Sequence, residues 1–470
     1  MALTPWRVKP ALSQTVKEVI VGAPPATQSN ALLLGRTAEV TPNPAAPVFL
    51  SHGKEQVVAV VGKRGSGKTF TLGCIVEGLS TKQIQTPVGN STDRRGVIVF
   101  DPLDNYWTMR FPIVAGDNEE LNRLHDAASR QGLLNLEFDV ECWLPGRTCR
   151  RQTDPKWFRV LLLKPRSLLR EDWELMLNVN TVSDPVGQAL LDTIRLASYT
   201  GYQKNGQQAG PREDYSITDI VNAVDSDTNS AVYHPETLRA LRQRLQSIES
   251  QGIFDPAGTN IQELSVSGRA SIILLSRASE SLREIIISLV VRGLMSDRSE
   301  ASNVRRLLAV DTTADAQERT RLEAFAAAAT PKTTVFLDEA QNFLAPDSNG
   351  PSKAIITKLV KEGRNFGLSV VLATQQPSAI DKRILSQVET FIAHSLVTES
   401  DIRSVRDNLK CDAPESIQYS QDDLDFAAAL RRLSSGQCIV SSSNNSLAGF
   451  NRLFFMNVRA RATMHGGLEL

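Results

Sequence analysis

Short, wholly apolar runs recur along the chain, separated by stretches in which apolar residues return at helical spacing. Val57, Val58, Ala59, Val60 and Val61 form the first clear run, and five mostly β-branched residues in a row predict a strand buried on both faces. Runs of the same kind lie at 96–100, 158–163, 270–275, 333–337, 368–373 and 391–396. Between them the period becomes helical. Leu72, Ile75, Val76 and Leu79 follow the first run, and a long helical pattern passes through Ile285, Leu289, Val290 and Leu294. A further helix is expected over 353–361, with Ile355, Ile356, Leu359 and Val360 toward the core and Gly363 at the C-terminal cap position. The region 117–225 reads as mostly helical, with faces at Leu121, Leu124 and Ala128 and at Val186, Ala189, Leu190 and Ile194. The segment 238–248 is amphipathic, and Arg239, Arg242 and Arg244 fall off its apolar stripe as a solvated face. A helix at 424–433 and strands at 437–440 and 453–458 close the pattern. Strands alternating with helices predict an α/β fold around a parallel sheet. Residues 1–56 differ: seven of the 22 prolines lie there, long helices are excluded, and short β pieces appear at 31–34 and 47–50.

The ends of the apolar runs carry the candidate chemistry. After Val61 comes Gly62-Lys63-Arg64-Gly65-Ser66-Gly67-Lys68-Thr69, a full match to G-x-x-x-x-G-K-[ST] between a predicted strand and a predicted helix. In that setting backbone N–H groups face inward around a polyphosphate, and the helix N-terminus adds positive potential. The candidate nucleotide-binding residues are Gly62, Arg64, Gly65, Ser66, Gly67, Lys68, Thr69 and Phe70. Lys68 is expected to reach the β- and γ-phosphates and Thr69 to ligate Mg²⁺, so ATP with Mg²⁺ is the expected cofactor. The run 333–337 ends in Asp338 and Glu339. Asp338 is placed for Mg²⁺, directly or through water, and Glu339 to orient and deprotonate an attacking water. The run 368–373 leads into Thr374, Gln375, Gln376 and Pro377. Gln375 is either a contact to the γ-phosphate or attacking water, or a polar strand cap. Asp101, before Pro102, is either a carboxylate on the ligand side of the sheet or a turn former. His394 alternates within its run and reads as a packed histidine rather than a ligand.

Charge narrows the possible partners. Lys and Arg number 52 against 52 Asp and Glu, which leaves no global basic field. A nucleic-acid contact must come from a local patch, for which Lys353, Lys358, Lys361 and Arg364 are candidates. No stretch approaches the ~20 apolar residues of a membrane span, since the best candidate, 285–295, is broken by Arg292 and Gly293. No signal-peptide core opens the chain, and five cysteines do not make a disulfide framework. Cys142 and Cys149 lack the second pair a zinc site needs. A reducing, cytoplasmic compartment is expected.

The strings GKRGSGKTFTLG, VIVFDPLDNYW, VFLDEAQNFLAP and KEGRNFGLSVVLATQQPSAIDKRILSQVETFIAH together resemble the HerA–FtsK group of motor ATPases, and within it HerA. The resemblance covers 31–105 and 270–400 and, less strongly, the tail. It implies a RecA-like (ASCE P-loop) parallel sheet in which the strand at 368–373 lies beside the P-loop strand. It also implies a ring, usually a hexamer, with ATP sites between subunits and double-stranded DNA in the pore. By the same match Lys68 and Thr69 bind ATP and Mg²⁺, Glu339 is the base, Gln375 the sensor, and Arg364 a guanidinium facing the neighbouring site, with Arg292 and Arg298 as alternatives. Only 61 residues precede Gly62, fewer than the family's N-terminal barrel needs. The expected organisation is a short β-rich segment or truncated barrel at 1–56, the first part of the ATPase core at 57–116, a mostly helical insertion at 117–265, and the rest of the core with the tail at 266–470. Two functions follow: an ATP-driven ring motor that translocates on or unwinds double-stranded DNA, with a separate nuclease or sirtuin-like phage-defence effector as partner, or an ATP-dependent scaffold that assembles and regulates a separate effector without processive translocation. A membrane-bound conjugation ATPase is disfavoured.

Overall fold

In the computed structural model, residues 6–22, 30–311, 315–447 and 452–466 are described. Pro5, Pro24 and Pro25 of the N-terminal proline set lie outside them. Besides a short hairpin of Gln85–Thr86 and Gly89–Ser91 that joins at residues 30–32, the strands of the main sheet, in chain order, are β1 Val19–Val21, β2 Asn30–Thr37, β3 Pro47–Ser51, β4 Val57–Val61, β5 Gly96–Asp101 and β6 Val140–Pro145. They continue as β7 Arg159–Leu161, β8 Ala270–Leu274, β9 Thr333–Leu337, β10 Leu368–Thr374, β11 Thr390–Ala393, β12 Gln437–Ser442 and β13 Phe454–Val458. Their order across the sheet is β7-β6-β8-β5-β9-β10-β4-β11-β12-β13-β2-β3-β1. From β7 to β11 every neighbouring pair is parallel. β12 and β13 then run antiparallel to their neighbours.

The β4 run shows why an unbroken apolar string makes a central strand. Val57, Ala59 and Val61 enter the core on one face of the sheet, and Val58 and Val60 enter the core on the other. Helix α1 (Lys68–Ser80) covers the second face with Leu72, Ile75, Val76 and Leu79. Helices α2 (Glu280–Val310) and α3 (Ala316–Ala328) follow β8, and α4 (Pro351–Glu362) follows β9. α2 and α4 cover the first face through Ile285, Ile287, Val291, Ile356 and Leu359. Fully burying a side chain of this size stabilises by about 1.5–3 kcal/mol, so an apolar run with an apolar layer on each side has one favourable place.

Three features depart from the sequence reading. Residues 140–145, expected to be helical, form β6 between β7 and β8. The main sheet therefore passes through the region read as an insertion. Its helical part shares the α2-side core through Trp173, Leu190, Ile220 and Leu241. The 158–163 run pairs with β6 over Arg159–Leu161, and beyond it Leu163 makes a single parallel bridge to Phe254. Among the described residues of the N-terminal segment, β2 pairs with β13, so β1–β3 extend the main sheet. The cap expected of α4 is in place: Gly363 is its C-cap, at φ −55°, and the chain continues in a 3₁₀ turn to Gly367, which takes the left-handed φ of 78°.

Candidate functional site

β4, β10, β9 and β5 lie side by side and parallel, so the segments after them emerge at one edge, the carboxyl end of the sheet, where ligands of open α/β folds bind. After β4 the loop 62–67 turns through two left-handed glycines, Gly65 at φ 76° and Gly67 at φ 107°. Gly62 is needed for space: a Cβ there falls 2.5 Å from Ser66 Oγ and 2.7 Å from His394 Cβ. Ser66 Oγ donates to the Lys63 carbonyl at 2.8 Å, and Gly436 N–H donates to the Ser66 carbonyl at 3.2 Å, which braces the loop from the turn before β12. α1 opens at Gly67 with no side-chain cap and no acid in its first turn. Its first N–H groups and the positive end of its dipole are left for an anion. Arg64 is exposed at the loop, and Thr69 and Phe70 are half-buried on the first turn.

Lys68 is buried and points at the acids after β9. Its Nζ donates to Asp338 Oδ1 at 3.0 Å and to Glu339 Oε1 at 3.2 Å. Burial alone depresses the lysine pKa, but Asp338 and Glu339 outweigh it and raise the pKa above its ordinary value, so Lys68 stays charged. Burial raises the Glu339 pKa, and Lys68, Gln341 and Gln375 overcome it, so the net shift is downward and the carboxylate is ionised. Gln375 Nε2 donates to Glu339 Oε1 at 2.6 Å, and Gln341 Nε2 donates to Oε2 at 2.7 Å. Thr374 Oγ1 holds Gln341 Oε1 at 2.7 Å. Glu339 sits at φ 48°, ψ 46°, a left-handed conformation costly for a non-glycine residue and held here by these contacts.

Lys68, Asp338, Glu339 and Gln375 thus meet in one cluster. Gln341 and Tyr106 join them unforeseen, and Tyr106 OH donates to Asp338 Oδ2 at 3.1 Å. Gln341 was within reach of the sequence, two positions after Glu339; Tyr106 had no local signal. Asp101 serves its own turn, accepting from Leu103 N–H at 3.2 Å and Tyr106 N–H at 2.8 Å. His394 is buried and packed. Its Nδ1 pairs with the Gln437 carbonyl at 2.8 Å and its Nε2 with the Thr71 hydroxyl at 2.9 Å. Burial pushes its pKa down to about 4, so the ring is neutral at pH 7.

The arginines and lysines separate cleanly. Arg364 precedes β10, at the opposite edge of the sheet from Gln375, with a side chain 67% exposed and a 3.9 Å ion pair to Glu389. Arg298 is buried and donates to the carbonyls of Phe366 and Thr330, both at 2.8 Å, and Arg292 pairs with Asp172 at 2.8 Å. Both alternatives are structural in their own subunit. Lys353, a candidate surface contact, is buried on Asp381 at 3.1 Å and the Pro346 carbonyl at 2.7 Å, whereas Lys358 and Lys361 are exposed. Arg242 pairs with Asp225, and Arg244 donates to the Leu177 carbonyl at 3.0 Å, so neither is merely solvated. No helix among the described residues is long and apolar enough to cross a membrane.

A second buried charge cluster ties α1 to the C-terminal segment. Glu77 accepts from Arg459 at 2.7 Å, Arg461 at 3.1 Å and Thr463 N–H at 2.9 Å. Burial raises the Glu77 pKa, and the two guanidiniums reverse the shift.

Comparison with known proteins bears on the family and the fold. Over 164 residues the chain is 27% identical to the DNA double-strand break repair helicase HerA of Sulfurisphaera tokodaii, covering 34% of this chain and 29% of that one. Over 211 residues it is 24% identical to the protein of the same name from Pyrococcus furiosus, covering 43% and 36%. The chain thus spans about a third of the length of these relatives. Among solved structures, VirB4 of Thermoanaerobacter pseudethanolicus shares the fold with a TM-score of 0.51 at 13% identity, over 93% of this chain and 99% of that one. The model of the Zonular occludens toxin family matches residues 268–399. The model described as Helicase HerA, central domain, matches residues 40–294, more than half of the 470 residues, and the chain belongs to that family.

Proposed function

We propose that this chain hydrolyses ATP with Mg²⁺ and that a ring of its copies, a homo-hexamer, translocates on or unwinds double-stranded DNA. The observation that carries the reading is the meeting of Lys68, Asp338, Glu339 and Gln375 within 3.2 Å of one another's partners at the carboxyl edge of the sheet. The names of the curated relatives supply the DNA.

The residues fit the cofactor. The uncapped N-terminus of α1 and the left-handed glycines offer N–H groups to phosphate oxygens. The Thr69 hydroxyl and the Asp338 carboxylate are hard oxygen donors that suit Mg²⁺, with phosphate oxygens and water completing its shell. A Mg²⁺ held by these residues would supply neutralisation of the charge that develops on the phosphates. Lys68 exchanges its carboxylate partners for phosphate. That leaves Glu339, still held by Gln341 and Gln375, to take a proton from a water oriented by Gln375. Arg364 lies too far from its own site, at the other end of a seven-residue strand of roughly 20 Å. Exposed and held only by the long pair to Glu389, it is assigned to a neighbour's site, where such a guanidinium contributes about 10³–10⁵ in rate.

A second reading is an ATP-dependent scaffold for a separate effector. It draws on the balanced charge and on the burial of Lys353, which removes one of four candidate DNA contacts. ATPase rate with and without linear duplex DNA, on protein of known mass, separates the two. Strong stimulation that weakens with salt is expected of the motor. Slow turnover indifferent to DNA overturns it in favour of the scaffold.

A further inference from the structure

We propose that Tyr106 is a positioning residue of the nucleotide site, whose hydroxyl holds Asp338 in place while Lys68 is engaged with phosphate. The proposal rests on the ATPase reading above. Asp338 is wholly buried and receives three donors. Oδ1 takes Lys68 Nζ at 3.0 Å and Glu339 N–H at 2.9 Å, and Oδ2 takes Tyr106 OH at 3.1 Å. The P-loop role draws Lys68 away. Tyr106 is then the side-chain donor that remains, and it alone fixes which way Oδ2 faces. A buried carboxylate oxygen without a donor is costly, so without Tyr106 the group turns to find one.

The tyrosine is itself held for this task. Its backbone N–H donates to Asp101 Oδ2 at 2.8 Å, and Asp101 Oδ1 takes Leu103 N–H at 3.2 Å, so Asp101 sets the turn that carries it. Two residues on, Thr108 Oγ1 donates to the Met464 carbonyl at 3.2 Å, and Met464 N–H donates to the Phe111 carbonyl at 3.0 Å. The ring is fully buried in the α1-side core, where a phenylalanine fills the same space without placing a hydroxyl in an apolar layer. Packing therefore does not account for the hydroxyl; the contact with Asp338 does. Burial, together with the nearby Asp338 and Asp101, keeps the phenol protonated and hence a donor.

Tyr106→Phe tests this in the full-length chain. The Mg²⁺ concentration for half-maximal ATP turnover is expected to rise about 10-fold, as for other residues that orient a metal ligand. Nucleotide affinity in EDTA is expected to stay at the wild-type value, because no metal is then held. An unchanged Mg²⁺ requirement overturns the proposal. So does a parallel loss of affinity in EDTA, which marks a purely structural hydroxyl. Should the variant not fold, 3-fluorotyrosine at position 106 reports by ¹⁹F resonance: a shift on adding Mg²⁺ to the nucleotide-loaded protein is expected, and no shift overturns the idea. Wild-type protein that takes up no nucleotide removes the ATPase reading and this proposal together. Wild-type turnover beside an unaltered Tyr106→Phe variant removes this proposal alone.

Discussion

Three side chains and one backbone conformation agree on where the Glu339 carboxylate goes. Lys68, Gln341 and Gln375 each reach it, and the left-handed φ of 48° turns it toward them. Glu339→Gln keeps the shape and removes the base, so ATP is expected to bind at near wild-type affinity while single-turnover hydrolysis falls by about 10²–10⁴. Normal hydrolysis by that variant removes Glu339 as the base. The acids and Lys68 were legible in the sequence because each sits in a short string at the end of an apolar run. Tyr106 was not, because its partner Asp338 lies 232 positions away and nothing near Tyr106 announces it. Lys353 misled for the same reason. Periodicity placed it off the apolar stripe, but Asp381 and the loop carbonyls after Asp338 close over it.

At the scale of elements, α1 is held at both ends by different means. Its N-terminus faces the P-loop and is left uncapped; toward its C-terminus Glu77 locks onto Arg459, Arg461 and Thr463. All four of these residues are buried. Glu77→Ala strands two guanidiniums in the core and is expected to cost about 3–5 kcal/mol, read by urea unfolding. A loss below about 1 kcal/mol, the range of a surface ion pair, contradicts a buried tether. The lock joins α1 to residues 382–386 positions later, so no pattern within the helix reveals it. Strands were legible at their centres and less so at their ends. The run 158–163 is apolar apart from Arg159, yet its ladder with β6 covers only Arg159–Leu161, and Leu163 bridges to Phe254 instead. β6 itself, with Glu141 and Cys142 inside it, lacks the β-branched run that marks its neighbours.

Across the whole molecule the main sheet places Arg364 at one edge and Glu339 at the other, so one subunit cannot bring them together without breaking β10. In the proposed ring, Arg364 is therefore assigned to the site of an adjacent subunit rather than to its own. Arg364→Ala is expected to bind ATP and lose turnover by about 10³ or more. Mixed with Glu339→Gln subunits it is expected to recover turnover, because some sites then pair an intact Glu339 with an intact Arg364. Mixtures no more active than the separate variants contradict a role in trans. The sequence by itself determined the α/β class, the strand–loop–helix of the P-loop and the acids of the second site, because these follow from side-chain period, glycine φ and residue type over a dozen positions. Only the tertiary structure decided that β1–β3 extend the main sheet through β13, that Arg298 and Arg292 are buried in structural contacts while Arg364 is exposed, and that Tyr106 reaches Asp338. A local pattern states how deeply a residue is buried. Which residue it is buried against is set by the summed pairing and packing of segments hundreds of positions apart.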